Sequence, residues 1–542
     1  MGYNFFDNIR KSVVWYPFCF LLALTAELTR IFDVSSYYPG KLSAGLQIHW
    51  GKLLLVSILL NIIVPLFARA IQSFHSKTEV QSFFIRTSPR KFLIGCAVLL
   101  CIFWIPFYIA FFPGTVMQDE IFAMRNPMGI ANQPLIYNLL LEWFWHLGIS
   151  FHHPTWGLGL FNFIQMLLQA FGISYCLLWS RKRISQNLLV GEIIYFLILP
   201  IIANIATTLI KDRIFSVLLL IGIPIFYNAV AYLETNGSEK IHGKITPIGV
   251  LCIWSVPVML FRSNGPYIWL GALFIIGVKY RRKAAKFLVY GIATFLLCSI
   301  PKNFVETPFQ EVIGVPLQQV SYIFNNHRNL SKEDRAYFNT LLPIKYWESI
   351  YRPDSPDNIK YHKEFQRRKL GENKSEFMRH WMHVVYKDPK SAVEAWLFNT
   401  YGFWSFTSFP WPRSQSTMSC AATNDILTIK DPNGHVNGRF VTGSNNPLLR
   451  RLALFNVRFT RYIGAGICFW VVFFVFYACM VSKRTIKAMA LLPILLCWGT
   501  LMASAPSTFA FRYTYMYPLA LPFVLNFLSP DTELPVRHFD QL

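Results

Sequence analysis

From residue 13 onward the chain is a succession of apolar runs, and every second interruption between them is strongly basic. This pattern limits the fold more than any single motif. A run near 20 apolar residues is long enough to cross a bilayer as a helix, and a helix satisfies its own backbone there. Of the 542 residues, 54% are hydrophobic and 15% charged, against about 25% charged in soluble domains. The expected fold class is therefore an all-α polytopic membrane protein. The net charge of +23, from 51 Lys and Arg against 28 Asp and Glu, is what basic inside loops produce. With no basic, aromatic-interleaved soluble module, it gives no reason to expect nucleic acid. Nine of ten cysteines lie in or beside apolar runs and only Cys420 in a long polar region, so neither a disulfide framework nor a zinc cluster is implied. Before the first run, MGYNFFDNIRK lacks a small-residue cleavage site, which predicts an uncleaved first helix.

Basic residues in short loops assign sidedness. Arg10 and Lys11 place the start inside, and Lys77, Arg86, Arg90 and Lys91 mark the next inside loop. Runs over 13–32, 53–70 and 92–112 then leave the stretch after Phe112 outside. The run 135–149 is too short to span, and reading it as a span would put Arg181-Lys182-Arg183 outside. It carries Asn138, Glu142 and His146 at four-residue intervals, a polar stripe expected of a helix lying at the outer surface. Continued alternation gives about twelve transmembrane helices and one mainly helical external domain. The expected divisions are 1–112, 113–156, 157–301, 302–458 and 459–542. Within the fourth, 375–387 and 389–404 read as helices and Asp431-Pro432-Asn433-Gly434 as a turn.

This sidedness gathers one set of charges. Asp119 and Glu120, Lys211-Asp212-Arg213, Arg262 and Arg512 all fall at outer helix ends or outer loops. Outer loops are usually poorer in Lys and Arg. A carboxylate with several fixed cations beside a bilayer suits a phosphate-bearing lipid, since Arg offers phosphate a fork and Lys a point charge. Each charge also has a plain reading: Asp119 as a helix cap, the Lys211–Arg213 triplet as self-paired, Arg262 as a snorkelling anchor, and Arg512 with Tyr513 as part of an aromatic belt. His152-His153 has no partner at ligand spacing, so no metal site is assigned.

The order F-P-G-x-x-x-x-D (Phe112 to Asp119), Lys211-Asp212, R-x-N-G (Arg262 to Gly265), E-V-I-G-V-P-L-Q-Q (Glu311 to Gln319), N-T-Y-G-F-W (Asn399 to Trp404) and Arg512-Tyr513 resembles the GT-C-type membrane glycosyltransferases. More closely, it is similar to a group of uncharacterised bacterial membrane proteins related to them. The resemblance implies transfer of a sugar from a polyprenyl-phosphate-linked donor to a glycan or glycolipid acceptor of the cell envelope, on the periplasmic side of the inner membrane. It makes Asp119 the general base of an inverting reaction and Lys211, Arg213, Arg262 and Arg512 the donor-phosphate ligands. Glu120, Gln133, Asp212, Asn264, Glu311, Gln318, Gln319 and Tyr513 become sugar or acceptor contacts, with Glu311, Gln318 and Gln319 reading equally well as ties between the external domain and the helices. The chain departs from the pattern at Asn132-Gln133-Pro134, where relatives often carry His-Pro; an amide binds a sugar but shuttles no proton. No cofactor is assigned, and a divalent metal is left open. The alternatives are a flippase for lipid-linked glycans, or a glycan polymerase or ligase.

Overall fold

The computed structural model describes residues 13–32, 48–76, 86–110, 112–116, 118–125, 134–235, 245–301, 307–326, 330–406, 426–430, 436–441, 464–506, 508 and 511–529. The main helices in the first half are α1 (Tyr16–Ile31), α2 (Trp50–Ser76), α3 (Pro89–Ala110), α4 (Gln118–Arg125), α5 (Leu135–Ser150), α6 (Pro154–Ser180), α7 (Gln186–Ile198), α8 (Pro200–Ile205), α9 (Lys211–Glu234), α10 (Pro247–Phe261), α11 (Gly265–Tyr280) and α12 (Ala285–Ser299). After residue 307 come α13 (Gly314–Asn325), α14 (Lys332–Leu341), α15 (Ile344–Ser349), α16 (Lys374–Lys387), α17 (Pro389–Trp404), α18 (Ala465–Val481), α19 (Thr485–Ala490), α20 (Leu492–Ser504) and α21 (Met516–Leu525). Two small ribbons interrupt them. β1 (Thr115–Val116) runs parallel to β2 (Thr208–Leu209), and β3 (Ile426–Lys430) antiparallel to β4 (Val436–Val441). The turn expected between β3 and β4 lies outside the described residues.

The chain is a helical membrane protein. Among the described residues four helices, α2, α3, α6 and α9, are long and apolar enough to cross a bilayer alone, rather than about twelve. The apolar runs behind the larger number do form helices, but many are short. α7, α10, α18 and α20 hold 13, 15, 17 and 13 residues, or roughly 20–26 Å at 1.5 Å per residue against a hydrocarbon layer of roughly 30 Å. Proline is one cause. Leu199, held extended before Pro200, separates α7 from α8.

α9 is the axis of the bundle. It packs against α6, α10, α19 and α21, and most of its residues are buried. The outer helices leave apolar side chains such as Ile62, Ile102 and Ile109 more than half exposed, as a lipid-facing surface requires. α5 folds back along α6, and Gly157 allows the approach. A Cβ there would stand 2.1 Å from the Phe144 carbonyl. The expected polar stripe on α5 is split: Glu142 and His146 face outward, 3.8 Å apart, while Asn138 turns into the protein with Tyr137 and Leu141.

The insert has its own core, centred on Leu317, Ile323, Phe338, Trp347 and Phe377. α16 and α17 match the helices expected there, and Asp388 caps α17 by accepting from the Ser391 amide. α17 then leaves the insert's core. Phe398, Tyr401, Phe403 and Trp404 belong to the core of the main bundle, where Asn399 donates to the Ala505 carbonyl and Trp396 to that of Met502. The expected boundary at 458 lies outside the described residues; within them, α17 ties the insert into the bundle.

Candidate functional site

The site begins with the turn at Pro113-Gly114. Gly114 has φ +125°, and a Cβ would meet the Asn162 amide nitrogen at 2.3 Å, so the backbone conformation and the close contact both favour glycine. Asn162, on α6, donates from that nitrogen to the carbonyls of Pro113 and Thr207. It thereby clamps the turn to the segment before β2, and β1 pairs with β2 just beyond, Thr115 opposite Thr208 and Val116 opposite Leu209. Two helices start side by side from this short ladder. α4 carries Asp119 and Glu120 in its first turn, and α9 opens with Lys211-Asp212-Arg213.

Acids at a helix N-terminus are favoured by the helix dipole, whereas cations there are not, so Lys211 and Arg213 need partners. Lys211 finds Asp119 at 3.4 Å. Arg512, in a short 3₁₀ turn before α21, approaches the same carboxylate at 3.0 Å and comes within 3.9 Å of Asp212. Arg262, at the end of α10, pairs with Asp212. The Tyr513 ring lies under both guanidinium groups, 5.0 Å from Arg262 and 4.8 Å from Arg512, a cation–π floor. Asp119, Lys211, Asp212, Arg262, Arg512 and Tyr513 therefore form one centre from four segments, with three cations facing two carboxylates. Asp119 is its open member: it is 35% exposed, against 10% for Lys211, 12% for Arg512 and 1% for Asp212.

Burial alone would raise the Asp119 carboxyl, but the charges of Lys211 and Arg512 outweigh it and hold the group well below the ordinary carboxylate range. Its neighbour behaves oppositely. Glu120 is fully buried, no side-chain donor among the described residues reaches its carboxylate, and burial with the adjacent Asp119 charge pushes it up to about 8. Two successive acids are thus shifted in opposite directions by their surroundings. In the folded protein Glu120 keeps its proton over an interval, from about 4.5 to about 8, in which the unfolded chain has lost it. The folded state then binds the extra proton, so stability is greatest below that interval and falls as pH rises through it. The expected result is a melting temperature that drops between pH 5 and pH 8, with a smaller drop in Glu120→Gln, measured by thermal unfolding in detergent.

The structure places the remaining expected residues elsewhere. Arg213 points away from the charge centre into the protein, where it is fully buried. It donates to the Asn162 side chain at 2.9 Å, to Gln165 at 2.8 Å, and to the carbonyls of Asn162, Ile205 and Ala206. With these bonds it is a scaffold residue, turned from any phosphate at Asp119. Asn264 donates to Thr500. Gln319 donates to the Ala392 carbonyl and accepts from Trp381. Gln318 donates to the Arg352 carbonyl. Glu311 pairs with Lys360 at 3.3 Å and accepts from the Tyr361 hydroxyl at 2.8 Å. Gln133 lies outside the described residues. Among the described residues no group of three or more His, Cys, Asp or Glu is placed to hold a metal ion. Asn162 and Gln165 are the scaffold residues that sequence reasoning missed. They lie in an apolar-looking helix, and the only signal was their three-residue spacing, which puts both on one face of α6.

No curated protein and no solved structure matches the chain. Residues 130–533 match a family described as being of unknown function, DUF6020. That span holds Lys211, Asp212, Arg262 and Arg512 and begins after Asp119. Because the match covers most of its length, the chain belongs to the DUF6020 family.

Proposed function

We propose that the protein is a membrane glycosyltransferase that moves a sugar from a polyprenyl-phosphate-linked donor to a cell-envelope glycan, on the periplasmic side of the bacterial inner membrane. The observation that carries this reading is the partly open Asp119 carboxylate held between Lys211 and Arg512 at the ends of bundle helices. Lys211, Arg262 and Arg512 present the positive charge a lipid phosphate would meet, with Asp212 holding the two arginines in place. In the resting arrangement Asp119 is a weak base because both neighbours stabilise its charge. A donor phosphate that engages Lys211 and Arg512 relieves this, and Asp119 regains basicity as the donor binds. Asp119 then takes the acceptor hydroxyl proton, the acceptor oxygen bonds to the anomeric carbon, and the carbon–oxygen bond to phosphate breaks with inversion. The departing polyprenyl phosphate keeps that electron pair, its charge stabilised by the same cations.

A flippase would need free charges along its path. The mid-helix acids are engaged instead, Glu27 with Arg30 and His49, and Glu192 with Asn526. The decisive test is donor use by Arg512→Ala in reconstituted protein supplied with a polyprenyl-phosphate hexose. Loss of a charge-assisted hydrogen bond is worth about 1.5–3 kcal/mol, so donor KM should rise roughly 10- to 150-fold. An unchanged donor KM would return Arg512 to a purely structural ion pair.

A further inference from the structure

α11 starts at Gly265, beside Arg262 of the charge centre, and runs 16 residues to Tyr280, about 24 Å at 1.5 Å per residue. α9, which opens with Lys211 and Asp212, ends at the same level, where Tyr280 donates to Glu234 at 2.8 Å. The turn that follows, Arg281–Ala284, lies at the end of the bundle opposite Asp119. The chain reverses there within a single 3₁₀ turn, with Arg281 at φ +47°, and α12 begins at once. Four cations, Arg281, Arg282, Lys283 and Lys286, are thereby kept within six residues, and all four are exposed.

Other cations at this end are used by the fold. Arg181 donates to the Thr87 carbonyl and lies over the Phe92 ring. Arg183 donates to the Trp179 carbonyl and lies over the Trp179 ring at 4.0 Å. Arg484 and Lys487 both donate to the Ser529 carbonyl, and Lys279 stands 4.0 Å from Glu234. Among the described residues, none of the four cations at 281–286 is paired with an acid or bonded to a carbonyl. Orienting a helix asks only that a loop carry cations and leaves their surroundings open. Here the surroundings are apolar. α12 packs on α10 and α11, and Phe274 and Val278 of α11 with Val289 and Tyr290 of α12 are more than half exposed. Lys286 precedes Val289 and Tyr290 by three and four residues, so it heads the same stripe of α12.

The α11–α12 hairpin thus offers an apolar wall that ends in a row of unused cations. A molecule with acyl chains and a phosphate at their head matches both parts, whereas a free anion would meet the cations alone. Arg offers that phosphate a fork and Lys a point charge. We propose that the 281–286 turn docks an anionic phospholipid, with its headgroup on the four cations and its acyl chains along the exposed face of α11 and α12. The inference does not rest on the transferase reading.

The test is native mass spectrometry of the full-length protein released from detergent, with dioleoyl phosphatidylglycerol or the zwitterionic dioleoyl phosphatidylcholine added. Phosphatidylglycerol should bind more tightly, by a margin that shrinks as salt is raised. Each cation near an anionic headgroup is worth about a fivefold change in affinity. Lys283→Gln combined with Lys286→Gln should therefore weaken phosphatidylglycerol binding roughly 25-fold and leave phosphatidylcholine binding unchanged. Arg281 and Arg282 remain in that variant to orient the loop. Thermal stability should hold, because neither lysine is paired among the described residues. Lys286→Gln alone, with about a fivefold loss expected, serves if the double variant fails to fold. Lys182→Gln, which neutralises an exposed cation at the same end but outside the hairpin, should change nothing. Equal affinity for the two lipids overturns the inference, as does a preference that survives the hairpin variants or falls equally with Lys182→Gln. Displacement of phosphatidylglycerol by inorganic phosphate would show a simple anion site and would overturn it as well.

Discussion

Asp119→Asn is expected to lower transfer by about 10²- to 10⁴-fold, the range attributed to a general base, with donor KM unchanged or reduced. Asparagine keeps the size of the side chain and loses the basic oxygen. It also removes one of the two carboxylates facing Lys211, Arg262 and Arg512, so the centre becomes more positive and should hold a phosphate at least as well. A collapse in kcat without a rise in donor KM therefore separates the base from a phosphate ligand. Near-normal turnover would remove Asp119 from the chemistry. The same ion pairs fix the sign of its contribution to stability. The folded-state carboxyl lies below its unfolded value, so its stabilisation is present above the unfolded pKa, near 4, and is lost only as the medium is acidified through the folded value.

Arg213→Ala should be the most destabilising single change in this region, on the order of 4 kcal/mol. Its buried guanidinium satisfies two side-chain oxygens and three backbone carbonyls, and each buried acceptor left unsatisfied costs about 1–3 kcal/mol before relaxation. Lysine should rescue only part of this, because a point charge on a flexible stem cannot serve a fork of acceptors. Thermal unfolding of solubilised protein reads the effect directly. Activity should fall with it, since Asn162, which Arg213 holds, is the residue that clamps the Pro113 turn to Thr207. A variant as stable as wild type would show that the knot is not needed.

The charge centre was legible because charges beside a bilayer are few and sidedness groups them. Lys211, Asp212, Arg262 and Arg512 could be placed in one layer before their contacts were known. The direction of each side chain was not legible. Three consecutive helical residues point about 100° apart, so the triplet at 211–213 had to diverge, and nothing in its local sequence says that Arg213 is the one that turns inward. The start of α17 was readable from Asp388-Pro389, a cap followed by a first-turn proline. Span length was harder to read. Apolar composition marks a segment as buried in protein or lipid alike, while the break at Leu199-Pro200 and the shortness of α10 and α20 depend on local backbone chemistry and on packing against α9 and α11.

Thr508's bond to Asp354 gives the two sides of the site different anchors. On one side, Asp119 and Lys211 are riveted together through Asn162, Arg213 and the β1–β2 ladder, so they move as a unit with α6 and α9. On the other, the segment leading to Arg512 is tethered to the insert. The Asp119–Arg512 pair therefore joins two parts of the fold that are anchored separately, one to α6 and α9 and the other, through Thr508, to the insert.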